Sequence, residues 1–296
     1  MLDPLHHLLL VAEHGSFTEA ARRAHLSQPA LSASIKKLED ALGAPLLHRL
    51  PRGAKPTAAG LVLLPHARAA LGAVASGRQA VRALQGLERG QVRIAAGATA
   101  CTYLLPDVLA EFHRRHPAIT LRVRETWTPR INEAVRDGEV DLGITQGLPG
   151  DLPGVPWMLD KLSLVAAPSL ASRLKKGHIQ AGTPLITFAL GAAMRSLSDR
   201  YLPQAEVIVE LGSIAAVKGH VRAGLGVALL SHVAVATDLA MGRLVALESG
   251  QLPESRQLSV VHMGAERLPP AGLALLELLK IWPHLATQKT DTTRSI

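Results

Sequence analysis

The chain has 296 residues, enough for two or three domains, and its 48% hydrophobic content can fill real cores although aromatics are only 3%. A net charge of +8 and a pI of about 10.1 favour an anionic partner such as nucleic acid. A single cysteine, Cys101, excludes an intramolecular disulfide; with no charged-then-apolar leader and no uninterrupted apolar run of about 18 residues, a cytoplasmic protein with no membrane partner is expected.

Taken in order, residues 4–13 read as a first helix, with Leu5, Leu8, Leu9 and Ala12 at helical spacing. His6 and His7 are adjacent, so they point apart and read as surface or cap residues rather than ligands. Ser16 and Glu19 have capping-box spacing. The short helix that follows, 18–24, carries Ala20, Ala21 and Ala24, small enough for a second helix to cross closely. Ser27 is a new N-cap with Pro29 in the first turn. Leu31, Ile35, Leu38 and Leu42 then share one buried face. The opposite face carries Pro29, Ser32, Ala33, Lys36 and Lys37, with Gln28 at the tip. Two capped helices around a short turn, Phe17 to Lys36, make a helix-turn-helix whose second helix is suited to a major groove. A plain helical hairpin with solvated lysines is the alternative. Charge favours the former: Arg22, Arg23, Lys36, Lys37, Arg49, Arg52 and Lys55 face only Glu39 and Asp40 between positions 22 and 55.

After Gly43, apolar residues followed by bases around Pro51 and Gly53 read as a two-stranded wing. Its Arg49, Arg52 and Lys55 would contact phosphates and set position without reading sequence. Thr57 caps a long helix to about 87, in which Leu64, Ala67, Leu71, Val74 and Val81 form a 3-4 repeat. Pro65, Gly72 and Gly77 make it a poor isolated helix, so packing against a partner must stabilise it, the alternative being a helix buried within one chain. From Gln91 strands and helices alternate: strands at 92–96, 119–125 and 140–145, helices at 104–115 and 129–136. A second such unit has strands at 162–167, 185–188 and 207–210, helices near 195–201 and from 213, then the 223–230 segment and a strand at 258–262. A helix at 271–285 ends the fold, and the polar tail after Thr287 is expected to be disordered. The alternation predicts an α/β domain with helices on both sheet faces. Ligands of such folds sit beyond the strand C-termini. The Gly97 to Cys101 turn fits that description, its small residues (Ala100 and Cys101 among them) leaving room near a ligand. Thr128, an N-cap before Pro129, fits as well.

The run Leu26-Ser-Gln-Pro-Ala-Leu-Ser32, then Ile35-Lys-Lys-Leu-Glu39 and Leu42-Gly-Ala-Pro-Leu-Leu-His-Arg49, closely resembles the LysR-type transcriptional regulators. The resemblance continues through Leu104-Leu-Pro106, Phe112 with His116-Pro117, Gly138-x-x-Asp141-Leu-Gly-Ile144 and Ala223-Gly-Leu-Gly226, nearly the whole chain. It implies a winged helix-turn-helix at 1–58, a dimerising linker helix at 59–89 and a two-lobed, periplasmic-binding-protein-like (type 2) effector domain at 90–296. The lobes would be 90–161 plus 266–296, and 162–265. DNA contacts are expected from Ser27, Gln28, Pro29, Ser32, Ala33, Lys36, Lys37, Arg49, Arg52 and Lys55. Many relatives carry arginine where this chain has Ala33. By resemblance Thr99 and Thr128 hold effector-contact positions, the alternative being that both are only helix caps. Thr187 and Arg195 follow from a looser match, and Arg195 reads equally as a surface charge.

Other chemistry is absent. Ser34-Ile-Lys-Lys37 and Ser172-Arg-Leu-Lys175 match S-x-x-K without the partner motifs, and Gly224-Leu-Gly226 lacks the third glycine and acid of a dinucleotide site. His113 and His116 have no carboxylate or cysteine set to complete a metal site. No catalytic residue, metal or cofactor is expected. The sequence thus predicts a promoter-binding regulator modulated by a small anionic effector, assembled as a homodimer or homotetramer, with RNA polymerase as a further partner. The alternative is a small-molecule (anion) binding protein without regulatory output.

Overall fold

The structure, a computed structural model, describes residues 2–50, 53–84, 90–174, 179–248 and 252–293. Three helices, α1 (Leu2–His14), α2 (Phe17–Arg23) and α3 (Gln28–Leu42), pack around Leu8, Val11, Ala20, Leu31 and Ile35, all essentially inaccessible. Ser16 Oγ accepts from the Glu19 N–H at 3.3 Å and Ser27 Oγ from the Ala30 N–H at 3.3 Å, so both helices start on side-chain caps. The capping box is one-sided, because the Glu19 carboxylate turns to Arg22 and Arg23 instead, and these hydrogen bonds hold it down at about 2. Between α2 and α3 the chain reverses through His25, which sits in the left-handed region at φ 54°. Gly43, at φ 67°, ends α3. Leu42 departs from the expected stripe: at the last turn it lies past the domain core and is half exposed, beside Ala58 and Val62.

The wing, β1 (Leu47–Leu50) and β2 (Gly53–Pro56), is an antiparallel hairpin. Glu39 pins its base, Oε1 accepting from the Leu46 and Leu47 N–H groups at 2.7 and 3.2 Å. Thr57 Oγ1 donates to the Pro45 carbonyl (2.7 Å) and accepts from the Gly60 N–H (3.0 Å), tying the wing to the start of α4 (Ala58–Leu84). Gly60 is there for space, since a Cβ would stand 2.1 Å from the Leu46 carbonyl oxygen.

The long helix α4 divides its apolar residues. Leu64 and Ala67 are buried in the same chain, whereas Leu61 and Val62 remain 62% and 69% exposed and Val81 54%. Of the predicted repeat, Leu64 and Ala67 are thus covered within the chain while Val81 stays free, and Leu61 and Val62 lie off it. Ala58–Ala75 has a mean hydropathy of 1.5 and is, by length and composition alone, apolar enough to cross a membrane. Within that stretch, however, Arg68 pairs with Asp137 (3.4 Å) and Glu139 (3.8 Å). Gly72 meets Gly138 so closely that a Cβ would lie 2.9 Å from its carbonyl oxygen, which sets α4 against the first lobe of the α/β domain.

That lobe contains β3 (Gly90–Ala96), a π-helical turn (Ala100–Leu104), α5 (Leu105–Arg115), β4 (Ile119–Glu125), α6 (Thr128–Arg136) and β5 (Leu142–Gln146). Strand β3 lies between β4 and β5, parallel to both. The 13-residue strand β6 (Gly154–Ala166) then crosses to the second lobe. There follow α7 (Pro168–Ala171), β7 (Pro184–Phe188), α8 (Ala193–Tyr201), β8 (Glu206–Leu211), α9 (Ile214–Arg222), β9 (Ala228–Ser231), α10 (His232–Ala240) and β10 (Val245–Leu247). β11 (Ser255–Val261) pairs antiparallel with β5 and with the first half of β6, while β9 and β10 pair with its second half. The return to the first lobe thus comes at about Ser255, earlier than the expected 266, because β11 is itself a first-lobe strand. The last helix, α11 (Pro270–Thr293), packs Leu275, Leu276 and Leu279 into the first-lobe core, and its helical backbone continues past Thr287, where a disordered tail was expected. Each lobe has its own core, with Val165, Ile186, Val217 and Val227 filling the second.

Candidate nucleic-acid interface and effector cleft

With Leu31, Ile35 and Leu38 buried beneath α3, helical geometry turns Ser27, Gln28, Pro29, Ala33, Lys36 and Lys37 outward, all exposed, with Ser32 half-buried beside them. Lys36 reaches Asp40 at 2.9 Å, an exposed pair that phosphate can displace. Lys55 stands exposed on the wing opposite His48, and Arg52 lies outside the described residues. Arg49 does more than expected of a phosphate contact. Its guanidinium lies 4.7 Å over the Phe17 ring and donates to Ser32 Oγ at 2.6 Å, bracing the wing against the recognition helix. His7 is not simply a surface residue, since Nδ1 bonds Ser34 Oγ at 2.7 Å between α1 and α3. Burial, then neighbouring His6, pushes its pKa down against the pull of Asp3.

If Lys37 and Lys55 meet phosphates, Lys37→Ala and Lys55→Ala should each flatten the slope of log K against log salt by about 0.9. Each should weaken specific and unrelated DNA by similar factors. A loss confined to one sequence in a salt titration would assign that lysine to base or groove reading instead.

Between the lobes lies a cavity of about 350 Å³. Its first-lobe wall is Gly97–Ala100, Glu125–Thr128 and Ile144–Gln146, and its second-lobe wall includes Phe188, Leu190, Met194, Leu211 and Ile214. Arg256 and Leu258 of β11 complete it. Thr99, Ala100 and Thr128 therefore meet in one space. Neither threonine hydroxyl caps a helix. Thr128 is the first residue of α6, behind an N-cap at Trp127, and its Oγ1 accepts from the Gln146 N–H at 3.2 Å. Thr99 Oγ1 accepts from Arg256 Nη2 at 3.0 Å.

The other three expected contacts lie outside this lining. Cys101 turns its thiol toward the Ala96 carbonyl (3.5 Å), and burial, then the charge of Glu125, pushes it up to about 11. Thr187 is buried within β7, its hydroxyl without a hydrogen-bond partner among the described residues. Arg195 spends its guanidinium on Asp199 (2.7 and 2.9 Å) and Glu210, while its neighbours Ala192, Ala193 and Met194 line the cavity. A thiol with so raised a pKa is almost wholly protonated at neutral pH and a poor nucleophile. Cys101→Ser should accordingly leave DNA binding and its response to peroxide unchanged in a gel-shift; loss of a peroxide response would make the thiol a sensor.

Sequence reasoning missed the floor of the cleft. Arg256 Nε donates to Asp160 Oδ2 (2.8 Å) and Nη1 to Gln146 Oε1 (3.0 Å), and Ser231 of β9 donates to the other oxygen of Asp160. Gln146 stands at the C-terminal end of β5, where the crevice rule could have found it. Arg256 and Asp160 carry no local signal and become partners only when β11 pairs with β6. Among the described residues no group of three or more His, Cys, Asp or Glu could hold a metal.

The helix-turn-helix family described as "Bacterial regulatory helix-turn-helix protein, lysR family" matches residues 2–61, and the family described as "LysR substrate binding domain" matches 85–282. The chain is 33% identical over 277 residues to the HTH-type transcriptional regulator CbbR of Rhodospirillum rubrum, covering 91% of this chain and 92% of that protein. It is 34% identical over 259 residues to a probable RuBisCO transcriptional regulator of Trichormus variabilis, covering 82% and 77%. Full-length OxyR C199D from Pseudomonas aeruginosa shares the fold with a TM-score of 0.69 at 23% identity, over 95% of each chain. The basic recognition helix, its wing and the two-lobed cleft thus have the company their geometry implies: the chain belongs to the LysR family of DNA-binding transcriptional regulators, with an N-terminal helix-turn-helix and a C-terminal effector-binding domain.

Proposed function

We propose that the regulator reads the half-sites of an inverted repeat with two α3 helices per dimer. Gln28, Pro29 and Ser32 contact base edges; Lys36, Lys37, Arg49, Arg52 and Lys55 contact phosphates. The observation that carries this reading is the outer face of α3, where polar and basic residues stand exposed over a fully buried Leu31 and Ile35. The exposed Leu61 and Val62 of α4 support assembly into a homodimer or homotetramer. A small, anionic effector in the cleft changes lobe closure or subunit packing, and with it the half-sites held and the access of RNA polymerase. We place this activity in the cytoplasm and assign no catalysis to the chain.

Ala33 supplies the test. Arginine is the usual partner of guanine, each bidentate pair discriminating by about 1–3 kcal/mol. Ala33 faces outward with no side chain to make such a pair. Binding-site selection with Ala33→Arg should therefore sharpen the preference for G at one step of each half-site. An unchanged selected site would remove α3 from the groove in the orientation proposed.

A further inference from the structure

The wing is tied at its base and beside its turn, and these ties decide where Arg49 points. Glu39 holds the Leu46 and Leu47 N–H groups, and the Ala54 N–H donates to the Gly15 carbonyl at 2.7 Å. Leu47 is buried among the helices, and side chains two apart on a strand share a face. Arg49 is therefore turned toward α3, whereas His48 and its partner Lys55 take the other face. Phe17, only 9% exposed and so a firm platform, lies under the guanidinium at 4.7 Å, and Nη2 donates to Ser32 Oγ at 2.6 Å.

A guanidinium can only donate, so Ser32 must accept from it and keeps its own proton for another partner. Among the described residues nothing else bonds that hydroxyl: Lys36, one turn on, is turned to Asp40 at 2.9 Å, and Gln28, one turn back, makes no bond to it. The cation also polarises the hydroxyl, which strengthens its O–H as a donor and disfavours a second donor at the oxygen. Toward the groove, Ser32 thus offers a proton.

We propose that Arg49 is a positioning residue for base readout: it orients the Ser32 hydroxyl as a donor and so selects a base with a major-groove acceptor at that step of each half-site. Guanine offers N7 and O6, adenine N7 and thymine O4; cytosine offers only its amino group and is the base rejected. A serine without such a neighbour could turn its hydroxyl to suit any base. Arg49 therefore acts on sequence as well as on backbone charge. This rests on the reading of α3 as the helix in the groove and adds which base edge Ser32 accepts.

Binding-site selection with the full chain, in wild type, Ser32→Ala, Arg49→Met and Phe17→Leu, tests it. Wild type should disfavour cytosine at one position of each half-site by about three- to tenfold, the range of one net hydrogen bond. Ser32→Ala and Arg49→Met should each remove that bias at the same position and leave the rest of the site unchanged; the double variant should go no further. Arg49→Met also loses a charge, which a salt slope smaller by about 0.9 records separately. Phe17→Leu keeps the charge but removes the ring, and should weaken the same bias at an unchanged salt slope. It carries the test if circular dichroism shows Arg49→Met to be unfolded. If Ser32→Ala relaxes a position that Arg49→Met and Phe17→Leu leave intact, the proposal is overturned while α3 stays in the groove. A wild-type preference for cytosine at the Ser32 position would overturn it too, since the hydroxyl would then be an acceptor. If Ser32→Ala changes no position, the proposal falls, and Ala33→Arg decides whether the groove reading falls with it. A wild type that selects no site counts against both.

Discussion

Arg256→Met should destabilise the effector domain by about 3–5 kcal/mol, the usual cost of breaking a buried ion pair from one side. Asp160 is 4% exposed and would keep Ser231 as its partner while losing the only cation bonded to it among the described residues. Thr99 and Gln146 would lose their donors at the same time. For a domain of this size each kcal/mol moves the midpoint by about 2–4 °C, so a fall of roughly 10 °C in thermal unfolding is expected. Replacing both members, Asp160→Leu with Arg256→Met, should recover part of the loss, because two apolar residues leave no charge stranded. If the single variant unfolds within about 2 °C of wild type, the pair is not buried as described.

Leu31→Ala should abolish DNA binding while leaving the effector domain folded. Leu31 is fully buried in α3 among Leu8, Val11 and Ile35, and truncating such a leucine costs about 2–5 kcal/mol. A domain of about sixty residues has little stability to lose. Two thermal transitions should be seen in wild type, and only the one belonging to the N-terminal domain should move. The neighbouring exposed substitution Ala33→Ser should move neither. Retained DNA binding in Leu31→Ala would mean that the domain draws its stability from α4 and its partner rather than from its own core.

Where the chain's signals are local, the sequence is legible. Ser16 and Ser27 mark the starts of α2 and α3 because a cap is a contact over three residues. Thr99, Ala100 and Thr128 reach the cavity because strand C-termini and helix starts can be located by pattern. Long-range pairing is not legible in this way. The crossing of β6 between lobes depends on β11, about a hundred residues later, so sequence pattern alone puts the return to the first lobe too late. Arg195 looked available only because Glu210, on a different strand, could not be foreseen as its partner. In the sequence Arg49 reads as a phosphate contact, and its bond to Ser32 requires the wing to fold back on α3. Glu39, one of two acids among the bases of positions 22 to 55, proves to be the peg on which the wing hangs.

The most direct test of a regulator that reads DNA through α3 is the ratio of specific to non-specific affinity at fixed physiological salt, measured for wild type and Gln28→Ala. Genomic fragments selected by the full chain should contain a dyad and bind at least about a thousandfold more tightly than unrelated DNA. Gln28→Ala, altering an exposed residue at the tip of α3, should shrink that ratio while non-specific affinity stays unchanged. The account is contradicted if no fragment binds above the non-specific level, or if Gln28→Ala lowers both affinities equally.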